Sequence, residues 1–214
     1  MPYRKSSFIV GEYYHVYNRG SDKRIIFHDS QDYSYFQNLL HLMNTPTRKQ
    51  TRDYKLYTTD SREKLVSIGA YCCMPNHFHI LIKQEQNNGV SLFLKKVLTS
   101  YAMFYNKKYK RTGTLFEGRF KAKCIDRDVY LKYLFAYIHL NPLKMIDEFW
   151  ESKNKYPKEY LQKLKTFLFS SFLDYVGVIR KEGSILNRKA FPEYFPGKES
   201  FSKEILNWIK LKVE

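Results

Sequence analysis

The chain is poor in several things that would have settled its class. Three cysteines among 214 residues, Cys72, Cys73 and Cys124, are too few and too odd in number for a disulfide framework, and they predict free thiols in a reducing compartment. No CxxC pair occurs, which argues against a zinc ribbon. No run of 18 apolar residues occurs, so no membrane-spanning helix is predicted. The opening Met1-Pro2-Tyr3-Arg4-Lys5 leads into no apolar signal core, so the expected location is the cytoplasm. A phosphate-cradling GxxxxGK[ST] loop is missing too, which disfavours chemistry driven by nucleotide hydrolysis. No internal repeat or low-complexity tract stands out.

Acidic residues are also scarce: 21 Asp and Glu face 37 Lys and Arg, a net charge of +16. Such an excess points to a polyphosphate partner. Half of it lies between Lys95 and Arg127, where ten basic residues meet only Glu117 and Asp126. From Met145 onward the balance is nearly even, 13 basic against 10 acidic. Hydrophobic residues make up 43% and aromatics 17%, enough for an ordinary packed core and too much for a disordered tail.

The richest local pattern is Tyr71-Cys72-Cys73-Met74-Pro75-Asn76-His77-Phe78-His79-Ile80-Leu81-Ile82. Pro75-Asn76 is a turn signal between two β-prone runs, so the segment predicts a hairpin. Strand alternation then puts both imidazoles of His77 and His79 on one face, which makes half of a metal site; two ordinary strand histidines fit the same triplet. Zinc held by Cys72 or Cys73 with the histidines is a further reading, opposed by the opposite directions in which adjacent strand residues point.

A second pattern runs from Asp126 to Pro142 and predicts a helix, with acid at its start and proline past its end. Leu131, Leu134, Phe135 and Ile138 form its apolar stripe. On a neighbouring stripe, Tyr130, Tyr133, Tyr137, Asn141 and, were the helix to continue, Lys144 stack at helical spacing. Asn141 precedes Pro142, which disfavours helical backbone and predicts that its amide leaves the helix axis. Used only as hydrophobes, the tyrosines would make a half-buried packing face.

Taken together, Met-Pro-Asn-His77-Phe-His79, then Leu115-Phe116-Glu117-Gly118-Arg119-Phe120-Lys121-Ala122, then Tyr137-Ile-His-Leu-Asn141-Pro-Leu-Lys144, resemble the single-tyrosine HUH transposases, most closely the bacterial REP-associated tyrosine transposases. The resemblance runs from about Gly11 to about Gly177. It implies metal ligation by His77, His79 and Asn141, a nucleophile at Tyr137, a Mg²⁺ or Mn²⁺ cofactor, and single-stranded DNA bearing a hairpin as substrate. It further implies nicking and rejoining through a 5′-phosphotyrosine link, a bacterial cytoplasm with nucleoid association, and a monomer rather than the dimers of smaller relatives. A domesticated hairpin binder that does not cut is the alternative, and an RNA-binding ferredoxin-like module a more distant one.

DNA contacts are expected from Lys107, Lys108, Lys110, Arg111, Arg119, Lys121, Lys123 and Lys144, with Phe116 and Phe120 as stacking rings. Lys121 and Lys123 alternate with Ala122 and should share a face. Glu117 is expected to pair with Arg119 or a lysine, His139 to pack, and His15 to be a plain strand histidine or to back the metal face. Strands at Glu12–Asn18 and in the hairpin, helices from Asp29 or Ser30 to Met43 and from Ser91 to Tyr109, and an extended Leu115–Ile125 predict an α+β, ferredoxin-like βαββαβ sandwich. The catalytic domain is expected over residues 1–145. A helical extension over 146–214, with pieces at Pro157–Leu168 and Phe201–Val213, is expected to pack on it.

Overall fold

The computed structural model describes residues 8–46, 63–148, 150 and 157–211. The expected polar excursion between residues 44 and 64 therefore lies largely outside the described residues. Four strands, β1 (Tyr13–Arg19), β2 (Val66–Met74), β3 (His77–Gln84) and β4 (Lys121–Ile125), form one antiparallel sheet in the order β2-β3-β1-β4. With α1 (Ser30–Leu42) between β1 and β2 and α2 (Gly89–Lys108) between β3 and β4, this is the predicted βαββαβ order. Only the last five residues of Leu115–Ile125 are strand. The helices that follow are α3 (Asp128–Leu140), α4 (Leu143–Ile146), α5 (Pro157–Thr166), α6 (Phe172–Tyr175) and α7 (Lys198–Leu211). No described helix is long and apolar enough to cross a membrane.

Local chemistry explains most of the boundaries. Pro75 and Asn76 form the two-residue hairpin turn, and the Pro75 carbonyl also accepts from the Ile26 and Phe27 amides at 2.8 and 3.0 Å. Asp29 caps α1 by accepting from the Asp32 amide at 3.0 Å. The wholly buried Asp32 carboxylate accepts from Lys108, Tyr109 and the His28 amide, which clamps the start of α1 to the end of α2.

Each sheet face has its own core. One face packs under α1 and α2 through Val16, Ile68, Tyr71, Cys73, Phe78, Ile80 and Ile82. The other packs under α3 and the extension through Ala70, Cys72, Met74, Leu81 and Ile125. A bulge at Gly69 makes this division possible in β2, because the extra residue inverts the alternation: Val66 and Ile68 face α1 and α2 before it, Tyr71 and Cys73 after it. Phe191 of the extension lies against the bulge, so close that a Cβ on Gly69 would stand 2.8 Å from its ring. The extension also pairs with the outer edge of β2: the Cys73 amide donates to the Phe169 carbonyl and the Ser171 amide to the Tyr71 carbonyl, each at 2.9 Å.

Candidate active site

Three strands put polar side chains on the face that α3 crosses. Register sets Tyr17 beside His79 and Arg19 beside His77 across β1 and β3, and His15 beside Lys123 and Tyr17 beside Lys121 across β1 and β4. Alternation holds for the histidine pair: Phe78 between them is fully buried under α1 and α2, while the imidazoles stand on the opposite face with ring centroids 5.0 Å apart.

Helix α3 carries Tyr130, Tyr133 and Tyr137 over this face, successive rings 6.0 Å apart. Tyr137 is half-buried and meets His79 edge-on at 5.6 Å and His15 at 5.9 Å. Two clefts join at Tyr17 and His79. One, of about 390 Å³, is lined by His77, Asn76, Arg19, Lys23 and Lys121; the other, of about 410 Å³, by His15, Lys123, Tyr130, Tyr133 and Tyr137. A larger cavity of about 570 Å³ lies in the extension behind α3, among Phe135, Tyr175, Phe191 and Phe195. No histidine lines it; the imidazoles and the tyrosine stripe line the smaller pair of clefts.

Burial keeps the imidazoles neutral. It is the main force pushing His77 down to about 4, with Arg19 adding to it, and His15 down to about 4, with Lys123 adding to it. Burial, then His15 and His77, hold His79 well below the ordinary histidine value. Neutral imidazoles are the form that binds metal. His77 Nδ1 lies 2.6 Å from Asn76 Oδ1, and His79 Nδ1 lies 2.9 Å from His15 Nε2.

Several expected residues sit elsewhere. Asn141 keeps helical backbone, φ −50° and ψ −41°, and its amide donates to the Tyr137 carbonyl at 2.8 Å; it lines neither cleft. The pre-proline preference does not prevail here; Pro142 itself is helical and precedes the next short helix, where its missing N–H costs nothing. Phe116, expected to stack on bases, is instead buried in the core, edge-on to Phe78 at 6.2 Å. Phe120 lies parallel to Phe8 at 6.2 Å.

The basic stretch is divided between layers. Lys121 and Lys123 share a face and line the clefts, and Lys123 Nζ stands 4.4 Å from the Tyr130 ring centroid. Lys107 and Lys108 end α2, over the opposite sheet face, and Lys110 and Arg111 follow in the turn after it. Of these, Lys108 is tied to Asp29 and Asp32, and Arg111 lies over the Tyr105 ring at 5.8 Å. Arg119 is exposed in the loop before β4, and Lys144 is exposed on α4. Glu117 pairs with Arg19 of β1 rather than with Arg119 or a lysine.

Cys72 and Cys73 occupy opposite faces, as alternation requires, and burial raises both thiols, so neither offers a ready thiolate to zinc. Among the described residues no group of three or more His, Cys, Asp or Glu side chains is gathered as a ligand set. The residues that sequence reasoning underweighted are His15, Tyr17 and Arg19. The period-2 pattern of β1 already put them on one face, but only the β1–β3 register brings that face to the histidines.

The family model described as "Transposase IS200 like" matches residues 41–141, which include His77, His79, Tyr137 and Asn141. Among solved structures, that of a REP-associated tyrosine transposase bound to a REP hairpin has a similar fold, with a TM-score of 0.54 over 85% of this chain and 90% of that one, at 14% identity. No curated protein sequence matches the chain significantly. The resemblance read from the sequence is thereby borne out: residues 41–141 match the IS200-like transposase model, and the fold is similar to that of a REP-associated tyrosine transposase.

Proposed function

We propose that the chain nicks and rejoins single-stranded DNA beside a hairpin, with Tyr137 as the nucleophile. The observation that carries this reading is the placement of the Tyr137 ring 5.6 Å from that of His79, on the polar face of its own sheet. The fold's likeness to a transposase bound to a REP hairpin supports hairpin DNA as the substrate.

In this reading the Tyr137 phenol oxygen attacks the scissile phosphorus and its proton passes to water. The phosphorus–O3′ bond breaks, the O3′ leaves as a hydroxyl after taking up a proton, and the 5′-phosphate stays on the tyrosine. Attack by a second 3′-hydroxyl reverses the step, so the bond energy is kept and no nucleotide is hydrolysed. Lys123 lines the cleft beside Tyr137, where its charge favours the phenolate and holds the phosphate. Lys121, beside the histidine cleft, and the exposed Arg119 guide the strand. Tyr137 meets the histidines of its own chain, which favours a monomer.

The residues fit a divalent ion. Because an amide oxygen can only accept, His77 Nδ1 carries the proton toward Asn76 and leaves Nε2 with a free lone pair. Two neutral nitrogens on a polar face are half a set, which phosphate oxygens and water complete for Mg²⁺ or Mn²⁺. Bound by His77 and His79, such an ion would polarise the scissile phosphate. The role of Asn141 as a third ligand rests on the resemblance.

The test is incubation of the protein with end-labelled hairpin-bearing single strands, in Mn²⁺ or EDTA, beside Tyr137→Phe. The reading requires a metal-dependent covalent adduct that retains the fragment 3′ to the nick and is absent from the variant. Binding without an adduct across a varied set of hairpins replaces it with a non-cutting hairpin binder.

A further inference from the structure

We infer that His15 is a positioning residue for the metal site: it accepts the Nδ1 proton of His79 and so fixes the tautomer in which His79 Nε2 faces the ion. The inference rests on the reading of His77 and His79 as ligands and adds a third side chain to it.

The observation is one buried contact. His15 Nε2 and His79 Nδ1 are 2.9 Å apart, both residues are only 7% exposed, and the rings lie near-parallel at 5.1 Å. One of the two nitrogens carries the proton and the other a lone pair. If His15 were the donor, the remaining proton of a neutral His79 would sit on Nε2 and block it as a ligand. If His79 is the donor, Nε2 is bare. The second arrangement places the His15 proton on its own Nδ1 and leaves its Nε2 as the acceptor.

The geometry also separates this role from ligation. Nδ1 and Nε2 lie on opposite sides of the His79 ring, so an ion on Nε2 is directed away from the nitrogen that meets His15. His77 shows the same device with a different partner, its Nδ1 held by the Asn76 amide oxygen at 2.6 Å. Both histidines thus have Nδ1 engaged by a neutral acceptor and Nε2 left over. Ligating histidines commonly use a carboxylate for this purpose. A neutral imidazole orients the ring without adding a second negative charge to a cleft that must admit a phosphodiester: Glu117, which lines it, is paired with Arg19, and Lys23, Lys121 and Lys123 line the two clefts.

The experiment reads tautomer and metal affinity on the whole chain. Long-range ¹⁵N–¹H spectra of the metal-free protein should show the His79 proton on Nδ1 and the His15 proton on Nδ1; a His79 proton on Nε2 overturns the inference. Titration with Mn²⁺, followed by the electron paramagnetic resonance of the free ion, should show His15→Phe binding about 10- to 100-fold more weakly. His15→Gln, whose amide oxygen reaches the position of Nε2, should recover most of that loss. Pulsed resonance on bound Mn²⁺ should count two imidazole nitrogens; three would make His15 a ligand and overturn its positioning role. His77→Ala and His79→Ala separate the two claims. If both bind Mn²⁺ like the parent chain, the metal reading itself falls; if both lose it while His15→Phe retains it, only the role of His15 falls.

Discussion

His139, two residues past Tyr137, offers a pH-dependent stability term whose sign and size follow from its surroundings. It is fully buried where α3 meets the extension, with Nδ1 2.7 Å from the Phe135 carbonyl and Nε2 2.7 Å from Ser171 Oγ. The carbonyl can only accept, so Nδ1 donates, and Nε2 accepts the serine hydroxyl proton. Burial is the chief cause that pushes its pKa down to about 3; the Phe135 carbonyl opposes it, and Arg188 and Arg180 add to it. In the unfolded chain the value is about 6.5. Above that, neither state holds the extra proton. As the pH falls below it, only the unfolded chain takes the proton up, so the folded state loses ground by about 1.4 kcal/mol per pH unit until the folded value is reached. At pH 5 the loss is about 2 kcal/mol relative to neutral pH. Urea unfolding of the parent chain and His139→Gln at pH 7.5 and pH 5.0 isolates it, because His15, His77 and His79 titrate alike in both chains. The variant should be less stable at pH 7.5, having lost a matched pair of hydrogen bonds. The gap should narrow by about 2 kcal/mol at pH 5.0. An unchanged gap refutes the argument.

Three further outcomes follow from the packing and the charge layout. Arg180 makes a two-pronged bond to the buried Asp174 and also donates to the Leu168 carbonyl at 2.6 Å, so Arg180→Leu should cost about 3–5 kcal/mol in urea unfolding by leaving a buried charge unpaired. Gly69→Ala should destabilise by about 1–3 kcal/mol, since the new methyl group meets the Phe191 ring at 2.8 Å; a neutral effect in thermal melts would show that the bulge seat is loose. Replacing Lys121 and Lys123 together with alanine should weaken hairpin DNA binding and lower the slope of log affinity against log salt by about 2, whereas replacing Lys107 and Lys110 should leave that slope nearly unchanged. Equal effects of the two pairs would contradict the division of the basic stretch between layers.

What the sequence made legible was whatever depends on periodicity and turn chemistry. The hairpin followed from Pro75-Asn76 between β-prone runs, the common face of His77 and His79 from alternation, and the tyrosine stripe of α3 from helical spacing. The order of elements then gave the ferredoxin-like class. What stayed hidden depends on contacts between distant segments. His15 bonds His79 only because β1 and β3 pair in one register, across 64 residues of chain. Phe116 looked like a ring free to stack, yet an isolated bridge between Phe116 and Gly20 brings that loop to the end of β1 and its ring into the core. The basic run between Lys95 and Arg127 reads as one patch, but it spans the end of α2, a loop and β4, and these belong to different faces of the sheet. Gly69 is one glycine among nine, and nothing local marks it as the bulge on which the extension seats.

The two faces of the sheet explain why a four-stranded sheet carries so long a helical extension. Under α1 and α2 the face is mainly apolar, with Gln84 as a buried polar exception that accepts from the Val90 amide, so that layer is built largely from apolar alternation. The other face is apolar over Ala70, Cys72, Met74, Leu81 and Ile125 and polar over His15, Tyr17, His77 and His79, so α3 has a divided floor. Its tyrosine stripe must lie over the polar part while Leu131, Leu134, Phe135 and Ile138 are kept from water. The strands beneath cannot cover both. The extension supplies the missing cover: Phe195 meets Phe135 at 5.6 Å, Phe201 meets His139 at 5.3 Å, and Trp208 meets Tyr133 at 4.7 Å. Apolar surface of this kind left bare on a lone domain would be covered by another copy or by aggregation. Covered from within, α3 is held against its own sheet, and Tyr137 meets the histidines of the chain that carries it.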